Sequence, residues 1–147
     1  MSGPERLELR VDDRAEVVAR MDELARAGRG WINLWPAVDP DDEPPPRSVL
    51  GGLITARGPE VPLCTWTPES IGVQHATGPR TAARLASLGL AVPDGWRVTQ
   101  DHPKRGLVLQ VPADADHDRV LGWLLQAGTL LSAVTVGIAW RAQVHRL

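Results

Sequence analysis

The sequence predicts an α+β fold, a two-layer sandwich in which about three helices cover mainly one face of an antiparallel or mixed sheet of six to seven strands. A strand–helix–strand pattern stands at each end of the chain, and the last segment alternates apolar and polar residues over an unusual length. Strand–helix–strand units at both ends are typical of ferredoxin-like folds. We therefore expect the ends to build the scaffold and the Gly/Pro-rich middle to hold any binding chemistry.

The N-terminal unit starts with a strand, because apolar and charged residues alternate over positions 7–11. A helix is predicted to follow. Asp13 stands three residues before Glu16, as in a capping box, and Gly28 is of the residue type that commonly ends helices. An extended segment at residues 31–35 completes the unit.

The first part of the middle predicts a loop and then a hairpin. Residues 38–47 are acidic and contain three consecutive prolines, which excludes a helix or a central strand and predicts an exposed loop. Residues 49–56 and 61–66 predict two strands joined by a four-residue connection. Residues 71–75 predict a further short strand.

The second part of the middle predicts a helix and a second hairpin. Gly78 and Pro79 are expected to open the helix, because proline suits the first helical turn, and Gly89 is expected to end it. Residues 96–111 are extended on either side of a polar stretch at 101–106, which predicts a loop or a wide hairpin turn.

The C-terminal unit combines alternation over residues 107–111, a helix from about Asp116 to Gln126, and a closing strand over residues 134–144. One face of that strand is apolar, which predicts that it faces the core. The other face is small near its start. The small outer residues expected to accept a second subunit are Thr135, Gly137 and Ala139.

Composition bounds the function classes. A chain of 147 residues fits a single domain, residues 1–147, and the formal net charge of −2 disfavours nucleic acid because it offers no basic field for a phosphate backbone. No stretch approaches the length of a membrane helix, which disfavours a membrane partner, and the first residues lack a signal-peptide pattern. Cys64 is the only cysteine, so no internal disulfide forms. We expect a cytoplasmic protein.

The strongest candidate for ligand chemistry is an anion site at the start of the second helix. Unpaired backbone N–H groups at a helix N-terminus attract phosphate or carboxylate, and His75, Gly78 and Arg80 surround that position in the sequence. The polar stretch at 101–106 would add a second positive wall through His102, Lys104 and Arg105. The alternative is that Gly78 or its neighbour only caps the helix and that these side chains are solvated.

Metal binding and nucleophilic catalysis have little support. The four histidines and Cys64 show no HxxxH, HExxH or CxxC spacing, so we predict no metal site and no cofactor. Cys64 or Ser70 with His75 would be the candidates for a nucleophile and its base, but no GxSxG motif is present. We therefore assign no catalytic residue and expect Cys64 to be a buried, inert thiol.

The segment at 31–35 carries two tryptophans on one side. Alternation places Trp31, Asn33 and Trp35 together and sends Ile32 and Leu34 to the opposite face. A strand that is apolar on both faces is either central in a sheet or part of an interface. The tryptophan face therefore predicts core packing, subunit packing, or a partner or ligand surface.

Two segments, residues 63–70 and 106–112, resemble parts of the SseB-like domain, which occurs in many bacterial proteins of unclear role. In that family a strand ending in an aromatic–Thr step precedes a second strand that ends near a proline. Here Trp66 takes the aromatic position and Pro112 follows the second segment, whereas the family's Asn-Pro-Gly element is absent. The resemblance covers less than half of the chain and assigns no role to any residue.

These patterns predict a small cytoplasmic, non-catalytic protein that works by binding, either to another protein or to its own copy as a homodimer. The surface would be the outer face of the closing strand together with the tryptophan-bearing segment. The alternative is an enzyme or ligand-binding domain for a small anionic molecule, which would use His75, Arg80 and the loop from Asp101 to Arg105.

Overall fold

The computed structural model describes residues 3–37 and 60–147, and the strands in these ranges form one seven-stranded antiparallel sheet accompanied by three helices. The predicted α+β two-layer fold is confirmed. The loop predicted at residues 38–47 and the strand predicted at residues 49–56 lie outside the described ranges. In chain order the elements are β1 (Glu5–Arg10), α1 (Ala15–Ala27), β2 (Trp31–Pro36), β3 (Leu63–Trp66), β4 (Ser70–Gln74), α2 (Thr81–Ser87), β5 (Arg97–His102), β6 (Gly106–Gln110), α3 (His117–Leu130) and β7 (Ala139–His145).

The strand order in the sheet is β1-β7-β2-β3-β4-β6-β5. β7 pairs antiparallel with both β1 and β2, so these two strands run parallel to each other with α1 as their connection. The connection from β6 through α3 to β7 is wider, because three strands, β2, β3 and β4, lie between β6 and β7 in the sheet. The predicted ferredoxin-like character of the two ends is therefore not confirmed.

The core forms between one face of the sheet and the helices. Alternate residues of the central strands, such as Ile32, Leu34 and Cys64, are fully buried. They join one cluster with residues from all three helices, namely Val17, Met21, Leu24, Leu85, Val120, Leu121, Leu124 and Leu125. The side chains between them on each strand point to the opposite face, which the described helices do not cover.

The start of α1 differs from the predicted capping box. Arg14 is the N-cap residue and makes no side-chain capping bond. Asp13 instead stabilises the tight turn after β1, where its backbone N–H donates a hydrogen bond to the carbonyl of Arg10 at 2.9 Å. The predicted end is confirmed, because Gly28 adopts the left-handed conformation with a φ of 71°.

The closing strand is shorter than predicted, since β7 begins at Ala139 rather than at residue 134. Its neighbours set the limit: β1 ends at Arg10, which pairs with Ala139. The residues before it form the connection from α3, which extends to Leu130, beyond the predicted end near Gln126. Thr135 and Gly137 therefore do not lie on the strand.

Gly128 lets α3 approach the sheet closely. A Cβ atom at this position would lie 2.7 Å from the ring of Trp140 and 2.8 Å from Sγ of Cys64. Both neighbours are buried, Trp140 on β7 and Cys64 on β3. Gly122, on the same helix, has a different nearest neighbour, because its Cβ would lie 3.3 Å from the guanidinium of Arg14.

We expect Gly128→Ala to lower the free energy of unfolding by about 1–3 kcal/mol, because α3 would have to move away from Trp140 and Cys64. The matched control is Gly122→Ala, where the flexible Arg14 can shift and where alanine stabilises a helix by up to about 1 kcal/mol relative to glycine. Urea unfolding of both variants measures the difference. Equal effects of the two substitutions would contradict the close packing at Gly128.

Candidate functional site

His75 lies directly after β4, and its side chain is fully buried. Its Nδ1 atom accepts a hydrogen bond from the backbone N–H of Thr77 at 3.2 Å and lies 2.9 Å from the hydroxyl of the same residue. Its Nε2 atom lies 3.1 Å from the hydroxyl of Thr81 on α2. Because Nδ1 accepts from an amide, the ring proton is assigned to Nε2, and the imidazole is neutral. Both ring nitrogens are thus engaged within the fold.

The backbone N–H groups at the start of α2 are bound by a carboxylate of the same chain. Asp101, on β5, accepts hydrogen bonds from the N–H groups of Thr81 and Ala82, each at 3.0 Å. The sequence predicts that these groups would attract an anion, and Asp101 supplies that charge. An external anion would have to displace it.

The helix itself begins later than predicted. Gly78 has a φ of 96° and Arg80 a φ of 58°, both in the left-handed region, so the chain turns sharply around Pro79. The helix starts only at Thr81 and has seven residues. Pro79 therefore belongs to the turn before the helix and not to its first turn.

The basic residues predicted beside this position are at the surface. Arg80, Lys104 and Arg105 are exposed. The ring of His102 accepts the backbone N–H groups of Lys104 and Arg105 at 3.0 and 3.1 Å, so it closes the hairpin turn between β5 and β6. His75 is linked to Asp101 through Thr81. Within the described ranges, no hydrogen bond joins the side chains of Arg80, Lys104 or Arg105 to His75, Thr81 or Asp101.

His75, Asp101 and the residues hydrogen-bonded to them form a cluster at the start of α2. Two members of this cluster were not singled out from the sequence. Thr81 bonds to both His75 and Asp101. Arg84 donates from Nη2 to the hydroxyl of Thr77 at 2.7 Å, and from Nη1 to the carbonyl of the same residue. The local sequence gives no signal for Thr81, because its carboxylate partner lies 20 residues away on another strand.

The environment lowers two pKa values in this cluster. Burial lowers the pKa of His75 from its ordinary value of 6.5, and the nearby guanidinium of Arg84 lowers it further. For Asp101, burial disfavours the charged form. Hydrogen bonds from the backbone N–H groups of Ala82 and Thr81, with smaller contributions from the Thr81 side chain and His75, outweigh this effect, so the pKa of Asp101 lies below its ordinary value of 3.8.

We expect the protein to lose stability as the pH falls below 6.5. Because the folded state lowers the pKa of His75, its contribution to stability is complete above 6.5 and is lost as the pH falls through the folded-state pKa. Urea unfolding at a series of pH values measures this. In His75→Asn, which has no ring to protonate, the free energy of unfolding should fall less over the same range; parallel curves would contradict the assignment.

Asp101→Ala should lower the free energy of unfolding by about 1–2 kcal/mol, the usual effect of losing a helix-capping carboxylate. The N–H groups of Thr81 and Ala82 would lose their acceptor, and the junction between β5 and α2 would loosen. Asp94→Ala is the control, because Asp94 is exposed and its side chain makes no hydrogen bond to the described residues. Thermal or urea unfolding that fails to separate the two variants would contradict the capping role.

The second candidate region is the sheet face opposite the helices, here called the open face. One row of residues crosses all seven strands on this face, as the register shows. In strand order the row is Arg6, Gln143, Asn33, Thr65, Gly72, Val108 and Gln100. Gly72 contributes no side chain to the row, so the surface of the open face is recessed at this position.

The predicted tryptophan surface lies on the open face. Trp31 pairs with His145 and Trp35 with Arg141, so the tryptophans of β2 stand beside the outward residues of β7. The rings of Trp31 and His145 stack at 4.7 Å with an angle of 10° between their planes. Of the small residues predicted to join this surface, Ala139 lies at the start of β7, whereas Thr135 and Gly137 lie in the preceding connection.

Charge on the open face is confined mainly to its borders. The outward residues of the three central strands are uncharged: Trp31, Asn33 and Trp35 on β2, Leu63 and Thr65 on β3, and Ser70, Gly72 and Gln74 on β4. The edge strand β1 carries Arg6, Glu8 and Arg10, and the opposite edge strand β5 carries Arg97, which donates to Gln110. Arg141 on β7 stands in register between Glu8 and Trp35.

Cys64 is buried as predicted, and burial raises the pKa of its thiol far above the usual range. In residues 3–37 and 60–147 no cluster of three or more His, Cys, Asp or Glu side chains is arranged to hold a metal ion. Across the same ranges, the helices are too short or too polar to cross a membrane.

Comparison of the chain with family models, with curated proteins and with solved structures gave no match. The resemblance of residues 63–70 and 106–112 to the SseB-like domain therefore gains no support from a family model.

Proposed function

We propose that this protein is a binding module that acts through protein–protein association, and that the open face of its sheet associates with the same face of a second copy. The observation that carries the proposal is the arrangement of that face, in which an uncharged centre containing Trp31 and Trp35 is bordered by charged edge strands. Protein interfaces are depleted of charge at their centre, enriched in tryptophan there, and polar at their rim.

The size of the open face is sufficient for such an association. Seven strands spaced by about 4.8 Å, each of about five residues, give a face of roughly 500 Å². Two opposed faces would bury on the order of 1,000 Å², close to the lower limit for a specific interface. A pair related by a two-fold axis is also the most common arrangement of oligomers.

The polar residues at the centre of the open face suit an interface without water, because some of their hydrogen-bonding groups already have partners within the chain. The Thr65 hydroxyl donates to the amide oxygen of Asn33 at 3.0 Å, so this pair needs fewer bonds from a partner. The ring of Trp31 is held by its stack on His145. A face that is ordered before binding loses less conformational entropy when it associates.

The alternative, a site for a small anionic molecule, has less support. His75 is buried with both ring nitrogens hydrogen-bonded, and Asp101 occupies the backbone N–H groups that would hold an anion. We also propose that the protein acts in the cytoplasm, because its only cysteine, Cys64, is a buried free thiol and the fold does not depend on an oxidising compartment.

Sedimentation equilibrium over a hundredfold range of protein concentration tests the proposal. We expect the wild type to approach twice the monomer mass of 15.9 kDa, and Gly72→Arg to remain monomeric because it places a charge at the centre of the interface. The substitution fits the free molecule. A Cβ at Gly72 would meet its nearest neighbours at 3.5 and 3.7 Å, which are ordinary contacts.

The control is Ala83→Arg, which adds the same side chain at an exposed position of α2, away from the open face. Its mass should match that of the wild type. Thermal unfolding confirms that Gly72→Arg is folded. A wild-type protein that stays monomeric at every concentration, or a dimer that Gly72→Arg leaves intact, would contradict the proposal.

A further inference from the structure

A groove with a volume of about 1240 Å³ runs along α3, on the helix layer of the molecule. Its lining on this helix extends from the N-cap residue Asp116 to Thr129, a distance of about 20 Å at the rise of an α-helix. Apolar residues from segments next to both edges of the sheet complete it. They are Val92, Pro93 and Trp96 before β5, Val11 after β1, and Val136 and Ile138 before β7.

The groove is held in place by contacts to α3. The indole N–H of Trp123 donates to the carbonyl of Ala91 at 3.0 Å, and the ring of Trp96 meets that of Trp123 edge-on at 5.5 Å. Arg14 lies across the helix at Gly122, where a Cβ would be 3.3 Å from its guanidinium. Because these contacts are made within the chain, the groove exists before any ligand binds.

The polar groups of the groove carry an excess of negative charge. Asp94, Asp114 and Asp116 line it, and all three are exposed. Of the arginines that line it, Arg14 forms a two-point ion pair with Asp118, at 3.0 and 2.9 Å, so its charge is compensated. Arg119 remains as the basic group beside the three carboxylates.

We propose that this groove binds a peptide segment of a partner protein that combines apolar side chains with lysine or arginine. The groove exceeds the range of about 300–1,000 Å³ that is typical of small-molecule pockets, and its length suits a peptide. Two tryptophans and aliphatic side chains receive the apolar residues. The three carboxylates favour a basic segment over an acidic one.

This inference does not depend on the proposed function, because the groove belongs to the helix layer and the open face to the other side of the sheet. Ile138 is the most accessible large apolar residue of the groove, at 49% exposure. Gly137, which the sequence predicted for a subunit interface, lines the groove beside it.

Selection of a phage-displayed library of random linear peptides on the full-length protein tests the inference. We expect enriched peptides to share apolar residues with at least one lysine or arginine. Their affinity is then measured by fluorescence anisotropy of the labelled peptide. The double substitution Asp94→Lys with Asp114→Lys, at two exposed positions, should weaken binding at least about tenfold and should favour the same peptide with its basic residues changed to glutamate.

Two single substitutions locate the site. Ile138→Ser should weaken peptide binding, whereas Gly72→Arg, on the open face, should leave it unchanged even where it abolishes self-association. Enrichment of no apolar–basic motif, an affinity that the charge-reversed double variant does not alter, or binding that only Gly72→Arg weakens would each overturn the inference. A monomeric wild type that binds such peptides would overturn the proposed function alone.

Discussion

The pairing of β7 between β1 and β2 is the interaction on which the rest of the structure depends. It joins the two ends of the chain and points Trp140, Ala142 and Val144 into the core. A shift of one residue in this register would move these side chains to the open face. Since Trp140 also contacts α3 at Gly128, the same pairing sets how closely that helix approaches the sheet.

The junction of α2 with the sheet shows how a predicted ligand site can be occupied by the fold itself. A short helix leaves backbone N–H groups without partners at its start, and a buried strand end needs polar contacts. Here Asp101 satisfies the first need and Thr81 links it to His75. His75, which suggested ligand chemistry, therefore helps to hold the helix, and Asp101 attaches the start of the helix to β5.

The molecule presents two surfaces of different character on its two layers. The open face is uncharged at its centre and bordered by charge. The groove along α3 is acidic, with aromatic residues held by contacts within the chain. Because the sheet separates them, the two interactions proposed above, self-association and peptide binding, involve different layers of the molecule.

The sequence by itself determined the secondary structure that depends on local periodicity. The alternation in β1, β2, β6 and β7 and the end of α1 at Gly28 can be read from the sequence, because each depends on residues a few positions apart. The burial of Cys64 and the shared face of Trp31 and Trp35 follow from the same alternation.

Only the tertiary structure decided which strands are neighbours, and with that the sites. The start of β7 at Ala139 depends on the length of β1, the capping of α2 depends on a carboxylate 20 residues away, and the groove collects segments from both edges of the sheet. These contacts join residues far apart in sequence, and their geometry is fixed by packing of the whole core, so no local pattern encodes them.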